Sequence, residues 1–216
     1  MPQVLASINH MLRGKALVLR ARTVVDATLI AAPSSTTNAG GGPDPEMHQT
    51  KKGNSRHFGM KVHIRADAES GLVHTVRGTA ANVNDVVEAA SLVHADESDA
   101  FGDAGFRNAY KRPDAPLDVE WHVAMRRGKR AALDKSSSFG TMINEVECIK
   151  ASIRAKVEHP LRVVKRQFGF VKVRYRGLKK NIAQLTTLFA LCNLWRARDK
   201  LLGAQAGVRL LRGPAA

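Results

Sequence analysis

The sequence predicts a mixed α/β protein: a five-stranded sheet flanked by helices, with a helical C-terminal part. Three observations carry this. Five segments before residue 126 have the alternating or continuous branched apolar content of strands. After residue 143 the apolar residues recur at steps of three and four. The 216 residues, 44% of them hydrophobic, suffice for one sizeable core.

Val4, Leu5, Ile8, Met11 and Leu12 fall at helical spacing, and Gly14 supplies a stop. "ALVLRARTVVDATLI", 16–30, reads as a first strand buried on both faces, with Asp26 in its middle or late part. Residues 32–55, rich in Gly, Pro, Ser, Thr and Asn, lack periodicity and are expected to form a long mobile loop. "FGMKVHIRAD" and "LVHTVRGTA" are expected to form an antiparallel hairpin. "NVNDVVEAASLVHA" predicts a helix with Asn and Asp at its N-cap. "DAFGDAGF" predicts a short fourth strand ending on Asp103, and "VEWHVAM" a fifth. A basic loop, 126–140, leads to a helix whose face is Ile143, Val146, Ile149, Ile153 and Val157. Ile182, Leu185, Leu188, Phe189, Cys192 and Trp195 mark a last helix.

This order, strand, hairpin pair, helix, two strands and helices, is that of a ribonuclease H-like sheet with strands arranged 3-2-1-4-5. The expected division is a short N-terminal helix over 1–14, a catalytic-type α/β domain over 15–202 and a flexible tail over 203–216.

The 34 Lys and Arg against 19 Asp and Glu give a formal charge of +15 and favour a polyanionic partner, nucleic acid first. Cys148 and Cys192 read as reduced core residues of an intracellular protein. The N-terminus lacks signal-peptide order, and no apolar run approaches the roughly 20 residues of a membrane span. The expectation is a soluble protein of the cytoplasm, associated with the nucleoid.

In "RAKVEHPLRVVKRQFGF" one acid, Glu158, stands among Arg154, Lys156, Arg162, Lys165 and Arg166. It is either a helix salt-bridge partner of Arg154, contributing about 0.2–0.5 kcal/mol, or a metal ligand whose basic neighbours hold phosphates. In the expected sheet the first and fourth strands are neighbours, so Asp26 and Asp103 face each other, and a helix across the sheet brings Glu158 beside them. Such carboxylates repel by about 4 kcal/mol per pair at ~4 Å and an effective dielectric constant near 20, so bound cations are needed to hold them ionised. Oxygen ligands suit Mg²⁺ or Mn²⁺, and two such ions activate an attacking oxygen and stabilise a leaving one in phosphodiester chemistry.

The segments "VVDATLIAAPSS", "DPEMHQTKKGNSRHFGMKVHI", "GLVHTVRGTAANVNDV", "FGDAGF", "KRPDAPLDVEWHVAMRRGKR" and "RAKVEHPLRVVKRQFGFVKVRYRGLKKN" together resemble the DDE transposases of bacterial insertion sequences, in the group named after insertion sequence five. The resemblance covers about residues 16–202. It implies that Asp26, Asp103 and Glu158 form the triad that binds two Mg²⁺ or Mn²⁺ ions. Related families carry Tyr, Arg, Glu and Lys at fixed steps; Arg154, Glu158 and Lys165 match, while Ala151 stands at the Tyr position. Pro160 is expected to bend or restart the helix beside Glu158. Members usually carry a long helical segment before the first catalytic strand, so the chain resembles the catalytic part alone.

Asp67 and Asp85 are rival acids that a hairpin turn and an N-cap explain. His159 adjoins Glu158, and a structural role is its ordinary explanation. No Cys or His pair has zinc-binding spacing. "GGGPDP" lacks the lysine of a phosphate loop and reads as a linker. Two basic runs offer DNA phosphate contacts: Arg126, Arg127, Lys129 and Arg130 in the first, Lys172, Arg174 and Arg176 in the second, beside Arg154, Arg162, Lys165 and Arg166. The function expected is metal-dependent cleavage and strand transfer of double-stranded DNA at element ends, by a homodimer on DNA. Two alternatives are a shortened, inactive chain that binds DNA or an intact transposase as an inhibitor, and a nuclease acting on RNA hybrids.

Overall fold

The computed structural model describes residues 2–17, 22–34, 42–94, 97–116 and 118–210, with side chains described as far as Gly203. Six strands form one mixed sheet: β1 (Arg22–Ala31), β2 (His48–Lys52), β3 (Ser55–Asp67), β4 (Val73–Ala80), β5 (Asp99–Gly102) and β6 (Glu120–Val123). The helices are α1 (Pro2–Gly14), α2 (Ala89–Leu92), α3 (Arg127–Ala131), α4 (Ser138–Arg162) and α5 (Leu178–Leu210).

The sheet runs β2-β3-β1-β5-β6, and β4 also pairs with β3. β1–β3, β2–β3 and β3–β4 are antiparallel; β1–β5 and β5–β6 are parallel. The expected mixed α/β architecture is therefore present, but its exact strand order differs from the five-stranded 3-2-1-4-5. The addition is β2, which lies inside the segment expected to be loop. Its signal is "KKGNSR": a two-residue turn, with Gly53 at φ +61°, joins Lys52 to its partner Ser55. Asp44 and Glu46 of that segment are anchored too. Asp44 Oδ2 accepts from Gly177 N at 2.6 Å and Glu46 Oε2 from Leu178 N at 2.9 Å, so the expected linker caps the start of α5. Residues 35–41 lie outside the described residues, as do 18–21 at the expected start of the first strand.

Alternation along the sheet sorts two cores. Val24, Met60, Val62, Ile64, Ala66 and Phe101 pack with Val157, Leu161, Leu185 and Phe189 of α4 and α5. Val25 and Ala100 pack on the other face with Ala89, Leu92, Phe106 and Val119. On that second face a buried Arg65–Glu97 ion pair, 2.8 Å, was not foreseen. α1 lies against α5 and β4; its Leu12 is buried with Leu72 and Ala197, whereas Val4 and Met11, expected on the packed face, are exposed.

Several helix expectations change. The segment expected as one helix folds, over its described residues 82–94, as a 3-10 turn, Asp85–Val87, followed by the one-turn α2. α3 interrupts the expected basic loop, and α4 starts earlier, at Ser138, where the Ser137 side chain accepts from Gly140 N. Of the expected α4 face only Ile153 and Val157 reach the core; Val146 and Ile149 are exposed. Cys148 is exposed as well, correcting its reading as a core residue, while Cys192 is buried and its thiol is pushed up to about 11 by that burial.

Pro160 neither stops nor restarts α4, which continues to Arg162 and passes into a π-helical turn over Val163–Gln167. Proline cannot bond the carbonyl four residues back, that of Lys156. That carbonyl faces Gly71, where a Cβ would stand 2.9 Å from it, so the chain passes close to it without a side chain. α5 runs to Leu210, past the expected start of the tail, and 211–216 lie outside the described residues.

Candidate active site at the carboxyl ends of beta1 and beta5

β1 and β5 run side by side, with Arg22 level with Asp99 and Val24 with Phe101. Carried on by two residues, that register sets Asp26 beside Asp103, just past the end of β5. Both lie in the side-chain series of Val24 and Phe101, the face that α4 covers. α4 packs across β1, β3 and β5 and brings its Arg154 and Glu158 to Asp26.

The electrostatics of Asp26 record this assembly. Its carboxyl is pushed up to about 7, first by burial, against the 2.8 Å bond it accepts from Ala27 N. The charges of Asp103 and Glu158 push it further up, and Arg154 pulls it down. Lys165 belongs to the same neighbourhood: its amine is held below the ordinary lysine value by burial and by nearby Lys52, while Asp26 opposes the change. The π turn is what carries Lys165 there. Asp103 Oδ1 accepts from Gly105 N at 2.8 Å, closing the turn after β5.

Glu158 is exposed, and among the described residues it makes no ion pair with Arg154, so the salt-bridge explanation has no contact behind it. The three acids are not drawn tightly together. Among the described residues, the one group of three whose ligand atoms all lie within 4.8 Å is Asp99, Glu120 and His122. That group sits where β5 and β6 begin and was not foreseen, although Glu120 and His122 share a face by simple alternation. His122 Nε2 and Asp99 Oδ1 are 2.7 Å apart, and Ser98 Oγ donates to Asp99 Oδ2 at 2.6 Å.

The rival acids behave differently. Asp67 Oδ1 accepts from Glu69 N, Ser70 N and Ser70 Oγ, as a turn residue does. Asp85 is not an N-cap; Asn84 holds that place. Asp85 Oδ1 pairs with Lys61 Nζ at 3.0 Å, and its Oδ2 stands 3.0 Å from the Cβ position of Gly105, against which Asp103 Oδ1 also lies, at 2.9 Å. Asp85 therefore flanks the turn that carries Asp103.

The cationic residues divide by environment. Arg126, Arg127, Lys129, Arg162, Arg166, Lys172, Arg174 and Arg176 are exposed. Arg130 is half-buried and bonds Asn144 Oδ1 and Cys148 Sγ, which ties α3 to α4. Arg174 lies over the Phe170 ring at 6.0 Å. Lys165 lines a cavity of about 230 Å³ with Lys52 and His57. Lys52 was missed because the segment carrying it was read as loop, and His57 of the same hairpin falls between that segment and the expected strand.

The donor chemistry fits a divalent ion: three carboxylates, of which half-buried Asp26 is kept from ionising freely first by its desolvation and then by the charges of the other two. Residues 19–194 match the family described as Transposase DDE domain, and the chain belongs to that family. Its members typically use a divalent metal. Among solved structures the fold is similar to a piggyBac transposase in a synaptic complex with hairpin DNA, with a TM-score of 0.50, 9% identity, 92% of this chain and 53% of that chain covered. A Mos1 strand transfer complex matches at a TM-score of 0.28 and 11% identity, over 91% of this chain and 61% of the other. The chain thus spans between half and two thirds of the length of these proteins. No helix among the described residues is long and apolar enough to cross a membrane.

Proposed function

We propose that this chain carries the catalytic site of an insertion-sequence transposase of the insertion-sequence-five group, cleaving and transferring DNA strands at the element's ends. What supports the reading is one observation: Asp26 is electrostatically joined at once to Asp103, Glu158, Arg154 and Lys165, residues drawn from β1, the β5 turn and α4 with its π turn.

Asp26, Asp103 and Glu158 would hold Mg²⁺ or Mn²⁺. Bound there, the ions supply activation of an oxygen nucleophile and stabilisation of the leaving oxygen. The chain's own part is placement. Arg154 and Lys165 present cations to the phosphate that is to react, and holding it in line with the nucleophile lowers the barrier. Partial burial of Lys165, beside Lys52, strengthens its hold on an anion over that of a fully hydrated surface lysine. Arg162, Arg166, Lys172, Arg174 and Arg176 extend the cationic surface along a DNA backbone, and Arg126, Arg127 and Lys129 add a second strip.

The deciding experiment is a nicking and strand-transfer assay on duplex DNA bearing the element ends, with Mg²⁺, Mn²⁺ or chelator. Metal-dependent 3′-hydroxyl ends that join to target DNA are expected, and Asp103→Asn should abolish them. Salt-sensitive DNA binding without cleavage, beside an active relative, would favour the inhibitor reading instead.

A further inference from the structure

We propose that the N-terminal half of α4 is a docking surface for a second copy of this chain, packed alongside in parallel. The inference stands apart from the catalytic reading.

Phe139, Met142, Val146 and Ile149 are 71%, 62%, 46% and 60% exposed. Single exposed apolar residues need no explanation. These four stand in one line, at steps of three, four and three, over about 15 Å of helix. That is the spacing of the seam between two paired helices. The opposite side of the same helix is pinned. Gly140 lies so close to the Asp134 carbonyl that a Cβ there would meet it at 1.9 Å. Buried Glu147 accepts from Met125 N at 2.8 Å and from Lys150 Nζ at 2.9 Å. The stripe is therefore held outward and cannot turn in to the core.

Charge selects the occupant. In a chain of formal charge +15, residues 136–149, "SSSFGTMINEVECI", contain no Lys or Arg and two Glu. A polyanion finds no purchase on this stretch, and two copies of a strongly basic chain repel least here. The flanking charges choose the direction. Glu145 and Lys150 border the seam on opposite sides, five residues apart, the separation at which flanking residues meet across a parallel pair. Lys150 has three donors and uses two, on Glu147 and the Val123 carbonyl, so one remains for the second copy's glutamate. In an antiparallel pair Glu145 would approach its own copy. Glu158 lies nine residues beyond Ile149, about 180° round the helix at ~100° per residue, so pairing through the seam leaves the acid cluster open.

Two turns of seam are less than the ~800 Å² per partner of a standard interface, so a weak, micromolar association is expected. The test is sedimentation velocity of the DNA-free chain from about 5 to 200 µM, in ~0.3 M salt to screen the net charge. A concentration-dependent dimer is expected, and Met142→Lys with Ile149→Lys should weaken it by about thirtyfold or more. Both positions are exposed, so the melting temperature should hold and serves as the folding control. In a Cys148→Ser background, Val146→Cys should form an inter-copy disulfide under mild oxidation, because a parallel seam sets each Val146 beside its counterpart. A monomer at every concentration overturns the proposal. So does a dimer indifferent to the lysine substitutions, and cross-linking that requires Met142→Cys paired with Val146→Cys overturns the parallel arrangement.

Discussion

Asp26 lies two residues beyond Val24 on β1 and Asp103 two beyond Phe101, the partner of Val24 on the parallel β5, and the charge of Asp103 acts on the Asp26 carboxyl. Two like charges brought together by backbone pairing must be relieved by a proton or a cation. That requirement makes the site testable without any DNA.

Asp26 gives the first test. Its carboxyl ionises near 7 in the fold against 3.8 ordinarily, through burial and then its acidic neighbours. Between those values the folded state binds more protons than the unfolded one, so stability of the metal-free protein falls as pH rises through that window. Asp26→Asn should remove the fall and raise stability at pH 8 by up to about 4 kcal/mol. Denaturant melts of both proteins from pH 4 to 8 in chelator check this; parallel pH profiles would refute it.

Glu158 separates ligand from surface acid. Glu158→Gln should change metal-free stability by no more than about 0.5 kcal/mol, since no ion pair with Arg154 is lost. The rise in melting temperature on adding Mg²⁺ should nevertheless shrink or vanish, because magnesium tolerates poorly the loss of a charged ligand. An unchanged magnesium-induced rise would remove Glu158 from the metal site.

Lys165 and Arg162 test the DNA surface. Each change to Ala should lower duplex affinity uniformly across sequences and reduce the slope of log affinity against log salt by about one. Glu145→Ala, on the charge-poor part of α4, should leave that slope where it is. Fluorescence anisotropy titrations at several salt concentrations give both slopes.

Gly59 tests the scaffold that aligns the acids. It pairs with Ala31 at the end of β1, and a Cβ there would stand 2.1 Å from the Ile30 carbonyl oxygen. Gly59→Ala should cost about 2–4 kcal/mol. A melting temperature within error of wild type would show that β1 and β3 can part there without loss.

The sequence by itself determined the chain order of five of the six strands and of the long helices, the basic character of the chain and the short segments around Asp26, Asp103 and Glu158. Those are local matters of periodicity, composition and motif. Tertiary structure decided what depends on residues far apart in the chain. β2 exists because β3 offers it an edge, and it brings Lys52 to the cavity that His57 of β3 and Lys165 also line. The capping of α5 by Asp44 and Glu46 spans more than 130 residues, and the buried Arg65–Glu97 pair joins a strand to a loop. The passage of α4 through Pro160 is settled by packing, with Val157, Leu161 and Val164 buried around it. The same packing left Val146 and Ile149 outside, although they belong to the same run of steps of three and four that leads on to Ile153 and Val157. Periodicity identifies a face of a helix; only the position of the sheet determines how far along the helix that face is covered.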